Sequence, residues 1–190
     1  MVGEQVNSED LESEFGVPVL AINFARQPTF GCGLNECSYP GFVYEPPPNP
    51  AEFQDTPACN TTGYASISDF IEPVGPIDVE RTEHDAVFWT HRFGNVGYEF
   101  DVAPGAYLVV LRFVELDVDL RPGKRLFTAA VESMESAVID IEGTVGLDVA
   151  FDLGWQVEIG TGEELDIRLF PGEANCPSLY AMVVFEDSAD

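Results

Sequence analysis

Three carboxylates alternate along the chain at Glu115, Asp117 and Asp119. On a β-strand, alternate residues point to the same face, so this spacing would gather carboxylate oxygens on one side. Such oxygens are the ligands that Ca²⁺ prefers, which makes Ca²⁺ the one candidate cofactor in the sequence. In a chain this rich in acidic residues a solvated strand edge is the favoured interpretation, and we expect no cofactor.

The abundance of carboxylates also makes catalysis difficult to assign. Paired carboxylates can hydrolyse a glycosidic bond, but with 34 Asp and Glu residues no particular pair is informative. The sequence has no G-x-S-x-G, H-E-x-x-H or glycine-rich phosphate motif. The two histidines, His84 and His91, have no metal-ligand spacing, and we expect both at the surface. The protein is therefore not expected to be an enzyme.

Four cysteines, Cys32, Cys37, Cys59 and Cys176, allow three disulfide pairings. One pairing joins the first two cysteines across a local turn and ties Cys59 to the approach to the last strand. Free thiols and a zinc site are the alternatives, although structural zinc usually uses repeated, closely spaced cysteine pairs. Disulfides are typical of extracellular proteins. Asn60 opens an Asn-Thr-Thr glycosylation motif.

The charge balance excludes several classes of partner. The chain carries 34 acidic and 8 basic side chains, giving a formal net charge of −26. Such a surface repels nucleic acid and anionic lipid, so neither is expected to bind. Near-absence of lysine indicates either a halophilic protein or an acidic secreted one. No apolar run of about 18 residues could span a bilayer, so no membrane insertion is expected. No signal peptide is visible near the start, and we expect an excised or mature domain, with a cytoplasmic protein as the alternative.

Short alternating segments separated by Gly and Pro predict the scaffold. Tyr98, Phe100 and Val102 alternate with acidic residues, whereas 107–111 is apolar on both faces, as in the middle of a sandwich. Strands are predicted at about 17–24, 42–44, 64–70, 78–81, 86–92, 96–102, 106–116, 126–132, 137–141, 147–152, 156–159, 164–170 and 178–186. The fold class is thus all-β: one antiparallel β-sandwich of jelly-roll or galactose-binding-like type.

The predicted organisation is simple. Residues 1–16 are an acidic N-terminal extension, with a short helix over 11–15 or no order, and 17–187 form the β-sandwich domain. A long loop-rich insertion, 26–77, follows the first strand. A loop of that length is uncommon unless it is functional or cross-linked.

The order of these segments resembles the malectin and malectin-like carbohydrate-binding family. That family carries a Q-T-E-R element, then F-x-Y-x-F/I-x-V, G-x-Y-x-V-x-L-x-F-A-E and G-x-R-x-F-x-V. The matching segments here are 81–84, 96–102, 105–115 and 123–129. Further similarity lies at 19–24, 138–150 and 179–184, so the resemblance covers roughly 19–186. It implies a non-catalytic, lectin-like module that is extracellular or at the cell surface and binds a glycan or glycoprotein.

In the family, aromatic and polar side chains on loops at one end of the sandwich hold the sugar, which here implies a set of five residues. These candidate ligand-binding residues are Tyr64, Glu80, Arg81, Asp117 and Asn175. Most of the family's aromatic stacking positions are absent, so a structural or adhesive domain that contacts protein or itself, with the sugar site lost, is the alternative.

Other aromatic and charged residues have structural interpretations. Phe88 and Trp89 could replace the missing stacking residues, but core positions are favoured. Trp155 is expected to pack partly in the core, after a turn at Gly154. Glu115, in the F-A-E position, is expected to pair with Arg112 or Arg125.

Overall fold

The computed structural model of the chain describes residues 1–7, 11–23, 43–44, 77–88, 91–93, 96–117, 119, 121–172 and 175–187. One sheet has six strands, in the spatial order β1 (Val2–Val6), β9 (Phe151–Ile159), β6 (Gly105–Phe113), β12 (Ala181–Glu186), β2 (Leu20–Asn23) and β3 (Val43–Tyr44). The second sheet has four, in the order β5 (Val96–Phe100), β10 (Leu165–Pro171), β7 (Phe127–Val131) and β8 (Met134–Glu135). A ribbon pairs β11 (Ser178–Leu179) with β4 (Arg92–Phe93).

Helices contribute little to the described part of the chain. They are α1 (Leu11–Phe15), α2 (Ile141–Thr144) and a 3₁₀ helix over Asp85–Phe88. None of them is long and apolar enough to cross a membrane. Pairing between neighbouring strands is antiparallel except for β2 with β3, so the predicted antiparallel β-sandwich is confirmed.

Alternate side chains of the two sheets fill the space between them. In β6 the inward residues are Val109, Leu111 and Phe113, each 0 % exposed. In β10 they are Leu165, Ile167 and Leu169, also 0 % exposed. In β10 the period-2 pattern of the sequence therefore identifies the face that packs between the sheets.

The outer face of the six-stranded sheet is also covered. Leu108 and Val110 of β6 and Phe185 of β12 pack in a second buried cluster, which we call the outer layer. Its cover is supplied by Leu11 of α1 and by apolar residues of 77–88, including Phe88. Burial on both faces explains why 107–111 is apolar throughout.

The N-terminal residues belong to this architecture. Residues 1–16 were expected to precede the sandwich, but β1 pairs with β9 and forms an edge of the six-stranded sheet. Gly154 of β9 makes room for β1, since a Cβ at that position would stand 2.9 Å from a methyl carbon of Val6. The short helix predicted over 11–15 is present as α1. The proposed boundary at residue 17 thus cuts through the folded unit.

Three predicted strands are helical or irregular instead. Within 78–81 only Glu80 makes an isolated bridge, to Val149. Within 86–92, Val87 and Phe88 are neighbours that both face the outer layer, which suits a helical turn rather than an alternating strand. Within 137–141, Ile139 makes a single bridge to Phe127 before Asp140 caps α2 by accepting a hydrogen bond from the Gly143 amide at 3.0 Å.

A further difference from the predicted strands concerns the segment around Trp155. No turn occurs at Gly154, and the predicted strands 147–152 and 156–159 merge into the single strand β9. Trp155 lies within it, 0 % exposed, and its indole Nε1 donates to the Met134 carbonyl at 3.0 Å. The expectation that Trp155 is a core residue is confirmed.

Leu11→Ala tests whether the N-terminal residues are part of the domain. Because Leu11 is 3 % exposed in the outer layer, the substitution should lower the free energy of unfolding by about 2–3 kcal/mol. Val17, at 85 % exposed, supplies the control, and Val17→Ala should change stability by less than about 0.5 kcal/mol. Urea unfolding measures both. Equal, negligible effects would mean that α1 does not pack on the sheet.

Candidate functional site

Several connecting segments meet where β6 ends and where β9 and β12 begin, an end of the sandwich that we call the loop end. Phe113, the last residue of β6, is paired with Phe151, the first residue of β9, and Ala181 of β12 is paired with Arg112. The segments 77–88, 114–117 and 145–150 and residues 175–180 all contact this end, as their hydrogen bonds show. They carry four of the five candidate binding residues.

Backbone hydrogen bonds join three of these segments. The Glu80 amide donates to the Asp148 carbonyl at 2.8 Å, and the Ala150 amide donates back to the Glu80 carbonyl at 2.9 Å. The Asp148 amide donates to the Glu115 carbonyl at 3.0 Å. The segments that carry Glu80 and Asp117 are therefore linked through 148–150.

A buried ion pair adds the fourth segment. Arg125 Nε lies 2.7 Å from Glu115 Oε2, with side-chain exposures of 9 % and 4 %. Arg125 Nη1 donates to the Cys176 carbonyl at 3.0 Å, next to Asn175. Of the two partners predicted for Glu115, Arg125 is the one that the structure shows. No feature of the sequence indicates that Arg125 also holds the segment of Cys176.

Arg112 pairs with Asp152 instead of with Glu115. Its Nη2 lies 3.0 Å from Asp152 Oδ2, and the two side chains are 1 % and 3 % exposed. The guanidinium also lies 5.1 Å from the centre of the Phe88 ring, beneath the 3₁₀ helix. Burial raises the pKa of Asp152, and the charge of Arg112 opposes that rise without cancelling it. Asp152 is directly opposite Arg112 in the sheet, a pairing that only the register of β6 and β9 reveals.

Four of the five candidate binding residues form the outer rim of the loop end. Glu80, Arg81 and Asp117 are exposed and Asn175 is half-buried. Tyr64 lies outside the described residues. Arg81 and Asn175 have left-handed backbone conformations, with φ of 62° and 60°.

A third left-handed residue, Asp148 at φ 59°, lies between the segments of Glu80 and Glu115. Non-glycine residues in this conformation are uncommon and concentrate at functional sites. Asp148 is not among the candidate residues that the sequence indicates, and no signal short of the backbone conformation identifies it.

The aromatic residues near this end are mostly structural. Phe88 is 0 % exposed, which confirms its core position, and Trp89 lies outside the described residues. The expected surface position of His91 is wrong: it is 8 % exposed and its ring packs edge-on against Tyr180, with centroids 4.8 Å apart. Burial, and secondarily the charge of Arg125, lowers the pKa of His91 to about 3. His84 is half-buried.

The carboxylates at the end of β6 do not share one face. Strand β6 ends at Phe113, so the alternation does not extend to Asp119. Glu115 is turned inward to Arg125, and its Oε1 accepts the Asp117 amide at 3.1 Å, while Asp117 is exposed. Among the described residues there is no group of three His, Cys, Asp or Glu side chains that could hold a metal ion.

The cysteine and glycosylation predictions fall mainly on other parts of the chain. Cys176 is 6 % exposed and is not a free thiol. Its three candidate partners, and Asn60, lie outside the described residues, so the pairing and the glycosylation remain predictions.

A surface cavity of about 680 Å³ lies at the opposite end of the sandwich. Its lining includes Asp101, Pro104, Thr161, Glu163 and Glu164. Its charged residues are all acidic, whereas the rim at the loop end combines an arginine, an amide and carboxylates. The loop end is therefore the better candidate for recognising a ligand through both donors and acceptors.

Comparison with known proteins supports the fold. No family model and no curated protein sequence matches the chain. β-Glucuronidase 2 from Bacteroides uniformis matches 88 % of this chain with a TM-score of 0.59 and 16 % sequence identity. The crystal structure of the plant peptide RALF23 in complex with FER and LLG2 matches 57 % of it, with a TM-score of 0.51 and 21 % identity.

The chain spans only a part of each of these proteins, 17 % of the glucuronidase chain and 35 % of the matched chain in the FER complex. At such identities the shared property is the fold. Solved structures with a similar fold thus include malectin-like extracellular domains of plant receptor kinases, in agreement with the fold that the sequence motifs imply.

Proposed function

We propose that this chain is a non-catalytic carbohydrate-binding module that recognises a glycan through the loop end of the β-sandwich. We further propose that it works outside the cell or at the cell surface. The observation that carries the proposal is the convergence of separate segments: 80–81, 117 and 175 lie far apart in the sequence and are connected here through Glu115 and Arg125.

The rim has the chemistry that a sugar hydroxyl requires. A hydroxyl both donates and accepts, so it binds best where donors and acceptors lie side by side. Arg81 supplies donors, Glu80 and Asp117 supply acceptors, and Asn175 can supply both. The left-handed backbone at Arg81 and Asn175 supports a functional role for this rim.

The buried carboxylates support binding rather than catalysis. A glycosidase needs two carboxyl groups facing the scissile bond. At the loop end, the buried carboxyls of Glu115 and Asp152 are each held by an arginine. Both carboxyl groups are therefore engaged in structural ion pairs.

Contact with a protein or peptide is a second candidate, in which the same end has lost its sugar site. It is supported by the fold that this chain shares with the matched chain in the complex of FER, LLG2 and the plant peptide RALF23. Under this candidate the chain would bind no glycan and would associate with a partner protein or with itself.

A glycan array probed with the labelled chain, in high and in low salt, tests the proposal. We expect selective binding to one class of oligosaccharide. Asp117→Ala and Arg81→Gly should each weaken it about tenfold or more, because each removes a charged hydrogen-bonding group from the rim. Glycine at position 81 retains the left-handed backbone, so a loss there reports on the side chain. Tyr64→Ala tests the candidate residue that lies outside the described part of the chain.

Glu164→Ala, at the opposite end, is the matched control and should leave binding unchanged. Binding that survives both rim substitutions would remove the loop end as the site. Absence of any glycan binding, together with concentration-dependent assembly in sedimentation, would favour the protein-contact candidate.

A further inference from the structure

One buried guanidinium, that of Arg125, bonds to two of the segments that form the rim. Arg125 is 8 % exposed, so it lies beneath the surface that a ligand would touch. Its Nε and Nη2 donate to the two oxygens of Glu115, at 2.7 and 3.5 Å. Its Nη1 donates to the Cys176 carbonyl at 3.0 Å.

Glu115 links Arg125 to the other segments through hydrogen bonds. Its Oε1 accepts the amide of Asp117, and its carbonyl accepts the amide of Asp148, whose own carbonyl accepts the Glu80 amide. The Arg125–Glu115 pair, which we call the clasp, therefore touches 115–117 and 176 directly and reaches 80 through 148.

We propose that the clasp is the positioning element of the binding rim, with Arg125 setting the separation of Asp117 from Asn175. This inference rests on the proposed function, because it assigns to the clasp the affinity of that site. Neither member of the clasp touches the ligand, and each acts through the rim residues. Since the pair is buried, salt screens it far less than an exposed pair, so the rim keeps its shape in concentrated salt.

The shape of the arginine side chain matters as well as its charge. The planar guanidinium presents several donors in a fixed fork, and here they are divided between a carboxylate and a carbonyl on different segments. Lysine presents one nitrogen and cannot occupy both the Nε position toward Glu115 and the Nη1 position toward Cys176. Arg125→Lys should therefore keep the charge balance and loosen the 175–176 segment.

The test compares the wild type with Arg125→Lys, with the apolar pair Arg125→Met/Glu115→Leu and with Arg168→Met. Replacing both members of a buried ion pair by apolar residues is tolerated better than removing one, so the double variant should still fold. Arg168, whose side chain is 53 % exposed and pairs with Asp166, is the matched control outside the loop end. Thermal unfolding verifies that each variant is folded.

Two measurements then test whether the clasp positions the rim. The first is amide hydrogen exchange at Asp117 and Cys176, relative to amides in β9. The second is the Kd for the oligosaccharide selected on the array. We expect protection at Asp117 to fall about tenfold or more in the double variant, which removes the acceptor of its amide, and the Kd to rise by a similar factor. Arg125→Lys should loosen Cys176 and weaken binding less, and Arg168→Met should change neither.

The outcomes separate this inference from the proposed function. A folded double variant whose Kd for the oligosaccharide is within twofold of the wild-type Kd would overturn the positioning role of the clasp. If the wild type binds no oligosaccharide, the proposed function fails and exchange alone decides: unchanged protection at Asp117 and Cys176 would overturn the positioning role, and a selective loss there would support it. If the double variant does not fold, Arg125→Lys is judged by the same criteria, with Cys176 as its exchange reporter.

Discussion

Arg112→Met is expected to lower the free energy of unfolding by about 3–5 kcal/mol at neutral pH. The substitution removes the partner of Asp152 and leaves a carboxylate that is 3 % exposed inside the outer layer. A buried charge without its counter-charge costs far more than the ion pair itself contributes. The packing of Arg112 against Phe88 would also be lost. Urea unfolding at fixed salt measures the effect.

The double variant Arg112→Met/Asp152→Leu is the control. With both charges removed, stability should return to within about 1–2 kcal/mol of the wild type. In the single variant the pKa of Asp152 should rise further, since the lowering effect of Arg112 is gone. The folded state then takes up a proton more readily than the unfolded state, so the defect should shrink as the pH falls from 8 to about 5. A defect that is equal in single and double variants, at all pH values, would contradict this account.

Trp155→Ala is expected to destabilise the domain by about 3–5 kcal/mol. Trp155 is 0 % exposed at the middle of β9, where it fills the space between the sheets, and its indole donates to the carbonyl of Met134 in β8. The cavity left by alanine cannot be closed by the strands on either side, which are fixed by their pairing. Denaturant unfolding followed by far-UV circular dichroism gives the change.

Trp155→Phe separates packing from the hydrogen bond. It keeps most of the apolar volume and removes the Nε1 donor, so it should cost about 1–2 kcal/mol. If alanine and phenylalanine proved equally harmless, Trp155 would have to lie at the surface, as expected for a ligand-stacking residue and not for the core.

The parts of the fold that the sequence predicts are the strands with period-2 alternation or, in β6, with a continuous apolar run. The segments 96–102, 106–116, 126–132 and 164–170 correspond to β5, β6, β7 and β10 because their inward residues repeat every second position. The edge strand β1 has no such signal, since Gly3, Glu4 and Gln5 are small or polar. Its partner, β9, lies about 150 residues further along the chain.

The wrong predictions for 86–92 and for His91, near the loop end, have a related cause. Val87 and Phe88 are apolar neighbours, and nothing local distinguishes a strand from a helical turn that faces a second apolar layer. His91 was expected at the surface because its spacing from His84 matches no metal site, yet it is 8 % exposed and packs against Tyr180 of the outer layer. Only long-range packing decides these positions.

The candidate site was predictable where it adjoins a regular strand. Glu115 lies two residues after the end of β6, which made pairing with a nearby arginine a sound expectation, and Arg125 meets it across the turn 121–124. The pairing of Arg112 with Asp152, 40 residues apart, depends on the register of two strands and could not be inferred from motifs. The left-handed conformation of Asp148 is a backbone property that the sequence does not encode in any recognisable way.

Mapping of amide chemical shifts during titration with the array-selected oligosaccharide tests most directly whether the rim is the recognition surface. We expect saturable changes in the amides of 80–82, 115–117, 148–149 and 175–176, with no change in β1 or at the acidic cavity of Asp101 and Glu164. Changes confined to that cavity or to the exposed face around Phe170, or no response to any oligosaccharide at any salt concentration, would contradict it.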